Sequence, residues 1–203
     1  MLKRVLFVII GNIIIGVGIG LTVYCDLGID PSTTFFSGIN NIINIGLGNC
    51  ISLGNALLFI PMFMVERKTI HLGTFVNMLG VGYVIQYSSA FFINTLPVIS
   101  LPLRFTIMFI AIVVVCIGCG LYLSGNLGQA PWDSLAHLVN IKFPKIKYST
   151  GRMIQDITAS IIGFLLGAQL GIGSVIFAFC LGPGIQFFRQ LFEGIFFKEA
   201  SLD

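Results

Sequence analysis

The chain has 203 residues, 56% of them hydrophobic and only 9% charged, with a formal net charge of +3. Soluble domains carry roughly a quarter charged residues, so this composition excludes a water-exposed globular domain. The basic residues are scattered rather than clustered, which excludes nucleic acid as a partner and makes the lipid bilayer the first one.

Uncharged runs at 5–25, 31–65, 72–103, 105–132 and 157–188 each exceed the roughly 18 residues that mark a spanning helix. Lys3 and Arg4 precede the first run in the manner of a secretory leader, but the run outlasts a leader's apolar core and has no A-x-A site. It reads as a retained first span, 5–25. Cuts at Gly, Pro, Asn and charged clusters give further spans at 50–65, 73–93, 103–123, 153–168 and 173–197. Segments 31–46 and 131–141 follow the first and fourth spans and begin with proline, which suits a helix's first turn. They read as short helices, either re-entrant or lying along the interface.

The expected fold is therefore all-α: one polytopic membrane domain over 1–203 with six transmembrane helices. With the N-terminus in the cytoplasm, Lys3, Arg4, Arg67, Lys68, Lys142, Lys145, Lys147, Arg152 and Lys198 all fall on the cytoplasmic side, and Arg104 is the exception. The positive-inside rule thus predicts two cytoplasmic termini. Five cysteines, Cys25, Cys50, Cys116, Cys119 and Cys180, lie in apolar segments. Cys116 and Cys119 form a C-x-x-C with no His or acidic residue nearby, so they read as packed thiols, and no metal or cofactor is expected.

A shift of 100 residues aligns the chain with itself. Gly18, Gly20, Leu21, Leu27, Gly28, Pro31 and Asn40 meet Gly118, Gly120, Leu121, Leu127, Gly128, Pro131 and Asn140. Gly73, Gly82, Ile85, Gln86 and Phe92 meet Gly173, Gly182, Ile185, Gln186 and Phe192. The repeats run from about 5–95 and about 103–197. Each holds three spans, an odd number, so the second enters the membrane from the opposite side: an inverted-topology repeat, each copy with a short proline-initiated helix after its first span.

The strings VGIGLTVYCDLGIDPST, CGLYLSGNLGQAPWDS and LGTFVNMLGVGYVIQ resemble the YitT/YczE/YyaS group of bacterial membrane proteins over nearly the whole chain. The Pro131, Trp132, Asp133 string brings it closer to the YczE type. The resemblance implies an integral protein of the bacterial plasma membrane. One departure is the split D-P-W element: Asp30 and Pro31 precede Ser32 in the first copy, and Ala130 precedes Pro131 and Trp132 in the second.

Candidate solute-binding residues gather at the two proline-led helix starts and at polar positions within spans. Asp30, Pro31, Ser32 and Thr33 read either as an N-cap or as part of an anion-binding helix end. Asn126, Pro131, Trp132, Asp133 and His137 make up the second group. Trp132, Leu135 and Val139 share a stripe there, with Asp133, Ser134, His137 and Asn140 on the remaining face. Trp132 is either an interfacial anchor or a stacking surface, and His137 either a solvated side chain or a titrating gate.

Asp156, beside Gln155, is the ionisable residue within a span; it either pairs with Arg152 one turn away or relays protons or cations. Asn77, Gln86 and Gln186 either line a polar path or hold helices together.

No H-E-x-x-H, G-x-S-x-G or phosphate-loop motif occurs, so no catalytic residue and no enzyme is expected. The leading expectation is a small-solute transporter or channel-like carrier with a site between the repeats. The helix ends give a weak preference for an anion or carboxylate. Two alternatives stand beside it: a substrate-binding membrane subunit of a larger importer, similar in size to the S-components of vitamin importers, and an accessory membrane protein that assists others without transport. A homodimer or a separate protein partner is compatible with all three.

Overall fold

The computed structural model describes residues 1–65, 67–145 and 148–197; of the charges that set the expected orientation, Lys147 and Lys198 lie outside them. Among the described residues every regular element is helical. They are α1 (Leu2–Cys25), α2 (Pro31–Ile43), α3 (Leu47–Val65), a 3-10 turn (Arg67–Thr69), α4 (Leu72–Val76), a π turn (Asn77–Val81), α5 (Gly82–Thr95), α6 (Leu101–Ser124), α7 (Pro131–Lys142), α8 (Tyr148–Leu165) and α9 (Ile172–Phe196).

Among the described residues five helices are long and apolar enough to cross a membrane: α1, α3, the continuous Leu72–Thr95, α6 and α9. The expected fifth span, 153–168, is α8. It starts five residues earlier and stops at Leu165, two residues before Gly167 takes a left-handed φ of +82°. Arg152, Gln155 and Asp156 in its first half keep it out of the apolar set. The short helix expected over 31–46 ends at Ile43 because Asn44 turns left-handed, and its counterpart runs to Lys142 rather than 141.

The bundle is assembled around the crossing of α1 and α6. Lipid gives helices no hydrophobic reason to associate, so close backbone approach over small residues is the main attraction. A Cβ on Gly11 would lie 2.7 Å from the Tyr122 amide nitrogen, and one on Gly118 would lie 2.8 Å from that of Ile15. Gly11→Ala is therefore expected to lower stability by about 3 kcal/mol, the upper end for overpacking, because backbone cannot rotate away. Gly182→Ala, with nothing within 4 Å of the added carbon, should leave the thermal midpoint in detergent unchanged; equal midpoints for the two variants would refute tight α1–α6 packing.

Outside that crossing the helices pack in recurring pairs. The α1 helix packs on α5, and α6 on α9; α2 packs on α8 and α3, and α7 on α3 and α8. Gly20 of α1 leaves room for Ser88, and Gly120 of α6 leaves room for Phe188. The pairing is incomplete in one place: α3 packs along α5, whereas α8 and α9 make no comparable contact among the described residues.

The loops after α1 and α6 share one conformation. Asp26 and Asn126 have φ of 54° and 50°, and Gly28 and Gly128 follow at 107° and 99°. Each loop hydrogen-bonds to a helix start in the opposite half of the chain. Gly173 N–H donates to the Leu27 carbonyl at 2.7 Å, and Gly73 N–H to the Leu127 carbonyl at 2.7 Å. These loops bring Asp30 and Ala130, and with them the first turns of α2 and α7, toward the middle of the bundle.

Candidate functional site

Pro31 opens α2 with its φ already set for a helix, and Asp30 caps it: the Asp30 Oδ2 accepts from Thr33 N–H at 3.1 Å and from the Ser32 hydroxyl at 2.6 Å. In α7 the N-cap position is Ala130, which has no side chain to do this. Ser134 instead turns back to the Pro131 carbonyl at 2.7 Å. The two first turns meet through aromatic rings, with Phe35 and Phe36 centred 5.8 and 5.5 Å from Trp132.

Between them lies a cavity of about 130 Å³. Its lining falls largely into residues 100 apart: Ile15 with Val115, Ile19 with Cys119, Asp30 with Ala130, Ser32 with Trp132, Thr33 with Asp133, and Val81 with Leu181. Phe36, Asn55, Asn77, Tyr122 and Arg152 complete its chemistry. Three polar atoms in this wall are buried without a hydrogen-bond partner: Asp30 Oδ1, Asn55 Oδ1 and Trp132 Nε1. Native structures leave few such atoms, and unpaired ones inside a cavity are the places where a ligand or water bonds.

Beside the cavity Arg152 bridges two carboxylates. Its Nη1 donates to Asp133 Oδ1 in a very short contact, and its Nε donates to Asp156 Oδ2 at 2.9 Å. Gln155, on the same helix, donates to the Trp132 carbonyl at 2.9 Å. The charges on α8 are thus used to hold α7. No ion pair reaches Asp30 among the described residues.

The π turn at Asn77–Val81 presents Asn77 to the same wall, where its side-chain N–H donates to Asn12 Oδ1 at 2.7 Å. Bulges of this kind are frequent at functional sites. The position 100 residues on is Phe177, fully buried in an uninterrupted α9.

The predicted set is therefore only partly gathered. Asp30, Ser32, Thr33, Asn77, Trp132 and Asp133 line the cavity; Pro31 and Pro131 shape its edge as the first residues of their helices. Asp156 stands behind Arg152. Trp132 is only 8% exposed, which replaces the interfacial-anchor reading. The stripe of Trp132, Leu135 and Val139 is also corrected: Pro131, Trp132, Ser134 and Ala136 form the buried face, and Val139 is exposed.

Gln86 and Gln186 do not line the cavity. Gln86 accepts from Gly48 N–H at 2.6 Å, closing the start of α3, and Gln186 is on an exposed face of α9. His137, half-buried, is likewise outside the wall. Asn126 lines a separate, polar pocket at one end of the bundle with Lys68, His71 and Arg189.

Missing from the prediction were Phe36, Asn55, Tyr122 and the pairing of Asp133 with Arg152. Asn55 carried the same signal as Asn77, an amide inside an apolar span. Phe36 and Tyr122 carried none, because aromatic residues in apolar helices are ordinary core. Among the described residues no three His, Cys, Asp or Glu side chains converge as a metal cage.

The sequence profile of a family of unknown function, DUF6198, matches residues 2–190. A protein of Haemophilus influenzae named only as uncharacterized is 29% identical over 181 residues, covering 88% of this chain and 79% of its own. The uncharacterized membrane protein YczE of Bacillus subtilis is 27% identical over 189 residues, covering 89% of this chain and 83% of its own. That relative agrees with the resemblance read from the Pro131, Trp132, Asp133 string. No solved structure matches the chain.

Proposed function

We propose that this chain, which belongs to the DUF6198 family, is a small-solute transporter or channel-like carrier whose site lies between two inverted three-helix halves of a multi-pass membrane protein. The observation that carries the reading is the cavity itself: it is lined in pairs from both halves, and its wall holds a buried carboxylate oxygen, an amide oxygen and an indole N–H with nothing bonded to them. Ionisable groups are costly at this depth and are retained where a polar path or solute needs them.

Several features support the inversion. The helix contacts recur at the same spacing of 100, and each half's loop docks on the other half's helix start. An equivalent pair of loops on opposite sides of the bilayer is what a pseudo-two-fold axis in the membrane plane requires. In this reading α8 is the sixth span, tolerated in lipid because Arg152 and Gln155 bond to α7 and Asp156 pairs with Arg152. Both termini are then cytoplasmic, Asp26 and Arg104 meet at 3.9 Å on the outer side, and Lys68 and Arg189 line the inner pocket.

Single cysteines at Ser32, Asn55 and Ala130, in a chain with the five native cysteines replaced, test the site. A small membrane-impermeant thiol reagent added to either side of sealed vesicles should modify all three. If all three are sealed from both sides, or if 32 and 130 label only on opposite surfaces, the central-site reading falls. The accessory-protein or importer-subunit readings then take its place.

A further inference from the structure

We infer that the cavity selects a small protonated amine, bound through the Asp30 carboxylate. The inference deepens the carrier reading at the same cavity and rests on it.

Charge decides the class. Among the described residues the wall holds Asp30, Asp133 and one cation, Arg152, which Asp133 and Asp156 already engage. Asp30 is 6% exposed and without an ion pair, and its Oδ1 accepts nothing, although its Oδ2 is used by the α2 cap. A carboxylate in that state lacks a charge-assisted donor, and an ammonium N–H supplies one. Asn55, 4% exposed, offers a second acceptor in the same wall.

The helix-end argument for an anion gives way at α2 because the protein's own carboxylate already caps that end. An incoming anion would face Asp30 and Asp133 and, among the described residues, would find Arg152 already engaged by two carboxylates.

Shape agrees with charge. Phe36, Tyr122 and Trp132 line the space around the carboxylate, and aromatic faces attract an organic cation while repelling an anion. The free indole N–H of Trp132 can take one acceptor from the solute, such as a hydroxyl. The volume of about 130 Å³ is close to the roughly 150 Å³ of an engineered cavity that takes benzene. A solute of about six non-hydrogen atoms fits.

Calorimetric titration of the purified full chain in detergent with n-butylammonium, butan-1-ol and butyrate, three probes of matched length, tests the assignment. Butylammonium should bind and the other two should not. Asp30→Asn should weaken the amine by roughly tenfold or more, since a charge-assisted bond is lost while asparagine keeps the helix cap. Asn55→Leu removes an unpaired acceptor without touching a cap and should weaken it several-fold; it serves if Asp30→Asn fails to fold. Binding of butyrate as tightly as the amine, no binding of any probe, or amine affinity unchanged in both variants would each overturn the inference.

Uptake of the same probes into vesicles separates this from the carrier reading. Amine binding with no flux leaves the selectivity standing and removes transport. Butyrate flux without amine binding does the reverse.

Discussion

Arg152→Gln is expected to destabilise the protein by about 2–3 kcal/mol, while the triple change Asp133→Asn, Arg152→Gln, Asp156→Asn restores much of that loss. Removing one partner from a buried ion network leaves the others uncompensated and costs about 3–5 kcal/mol when burial is complete. Here the side chains of Arg152, Asp133 and Asp156 are 29%, 35% and 19% exposed, so the effect falls below that range. The single variant strands two carboxylates that one guanidinium had bridged between α7 and α8. The triple variant strands none, and amides hydrogen-bond with one another. Thermal unfolding in detergent measures both; a triple variant no more stable than Arg152→Gln would mean that the network is not what joins the two helices. Function separates a carrier from an accessory protein, because only a carrier should lose activity in a folded triple variant.

This network also marks the limit of what the sequence made legible. Asp156 and Arg152 are one helical turn apart, so helix geometry offered their pairing as one of two readings. Asp133 lies 19 residues from Arg152 on another helix, and nothing local distinguishes a charge that crosses between helices from one that faces water. The same gap explains Gln86 and Gln186. The sequence alignment at a shift of 100 pairs them, but Gln86 closes the start of α3 and Gln186 faces outward, because such a shift pairs positions along the chain and not the faces of the helices that carry them.

The all-helical class and the positions of the short helices were legible for a different reason. Proline at a helix start and a capping aspartate act locally, through φ and one hydrogen bond, and Asp30, Pro31 and Pro131 suffice to place those ends. The apolar runs located the long helices for the equally local reason that lipid requires backbone groups to bond within the segment. The case of α8 is harder. Its hydropathy is lowered by Arg152, Gln155 and Asp156, which leaves it outside the apolar set, and its proposed place as a sixth span rests on its packing against α2 and α7. The aromatic lining of the cavity was illegible for the converse reason: Phe36 and Tyr122 look like every other apolar residue until folding brings them to Asp30.

Gly28→Ala and Gly128→Ala are each expected to cost about 4 kcal/mol, enough to abolish a folded yield in membranes. Two penalties combine at each position. The backbone has φ of +107° and +99°, where an L side chain is strained by about 1–3 kcal/mol. The new carbon also collides with the opposite half. At position 28 it would sit 2.6 Å from the Ser174 hydroxyl and 2.7 Å from the Gly171 nitrogen; at 128 it would sit 2.5 Å from the Thr74 hydroxyl and 2.9 Å from the His71 nitrogen. Overpacking against backbone adds about 1–3 kcal/mol more. Gly167→Asn provides the comparison, because φ is +82° there but the nearest atom, on Asn41, is 3.5 Å away. Strain then acts without collision, asparagine tolerates it, and the loss should be under about 1 kcal/mol. Detergent-extracted monodisperse yield and thermal midpoint read the three variants. If the halves are equivalent, positions 28 and 128 must fail together, since each loop seats the other half's helix start by the same hydrogen bond and the same bare glycine. A chain that tolerates alanine at one and collapses with it at the other would have two loops of like conformation carrying unlike loads, and the symmetric frame around the cavity would lose its basis.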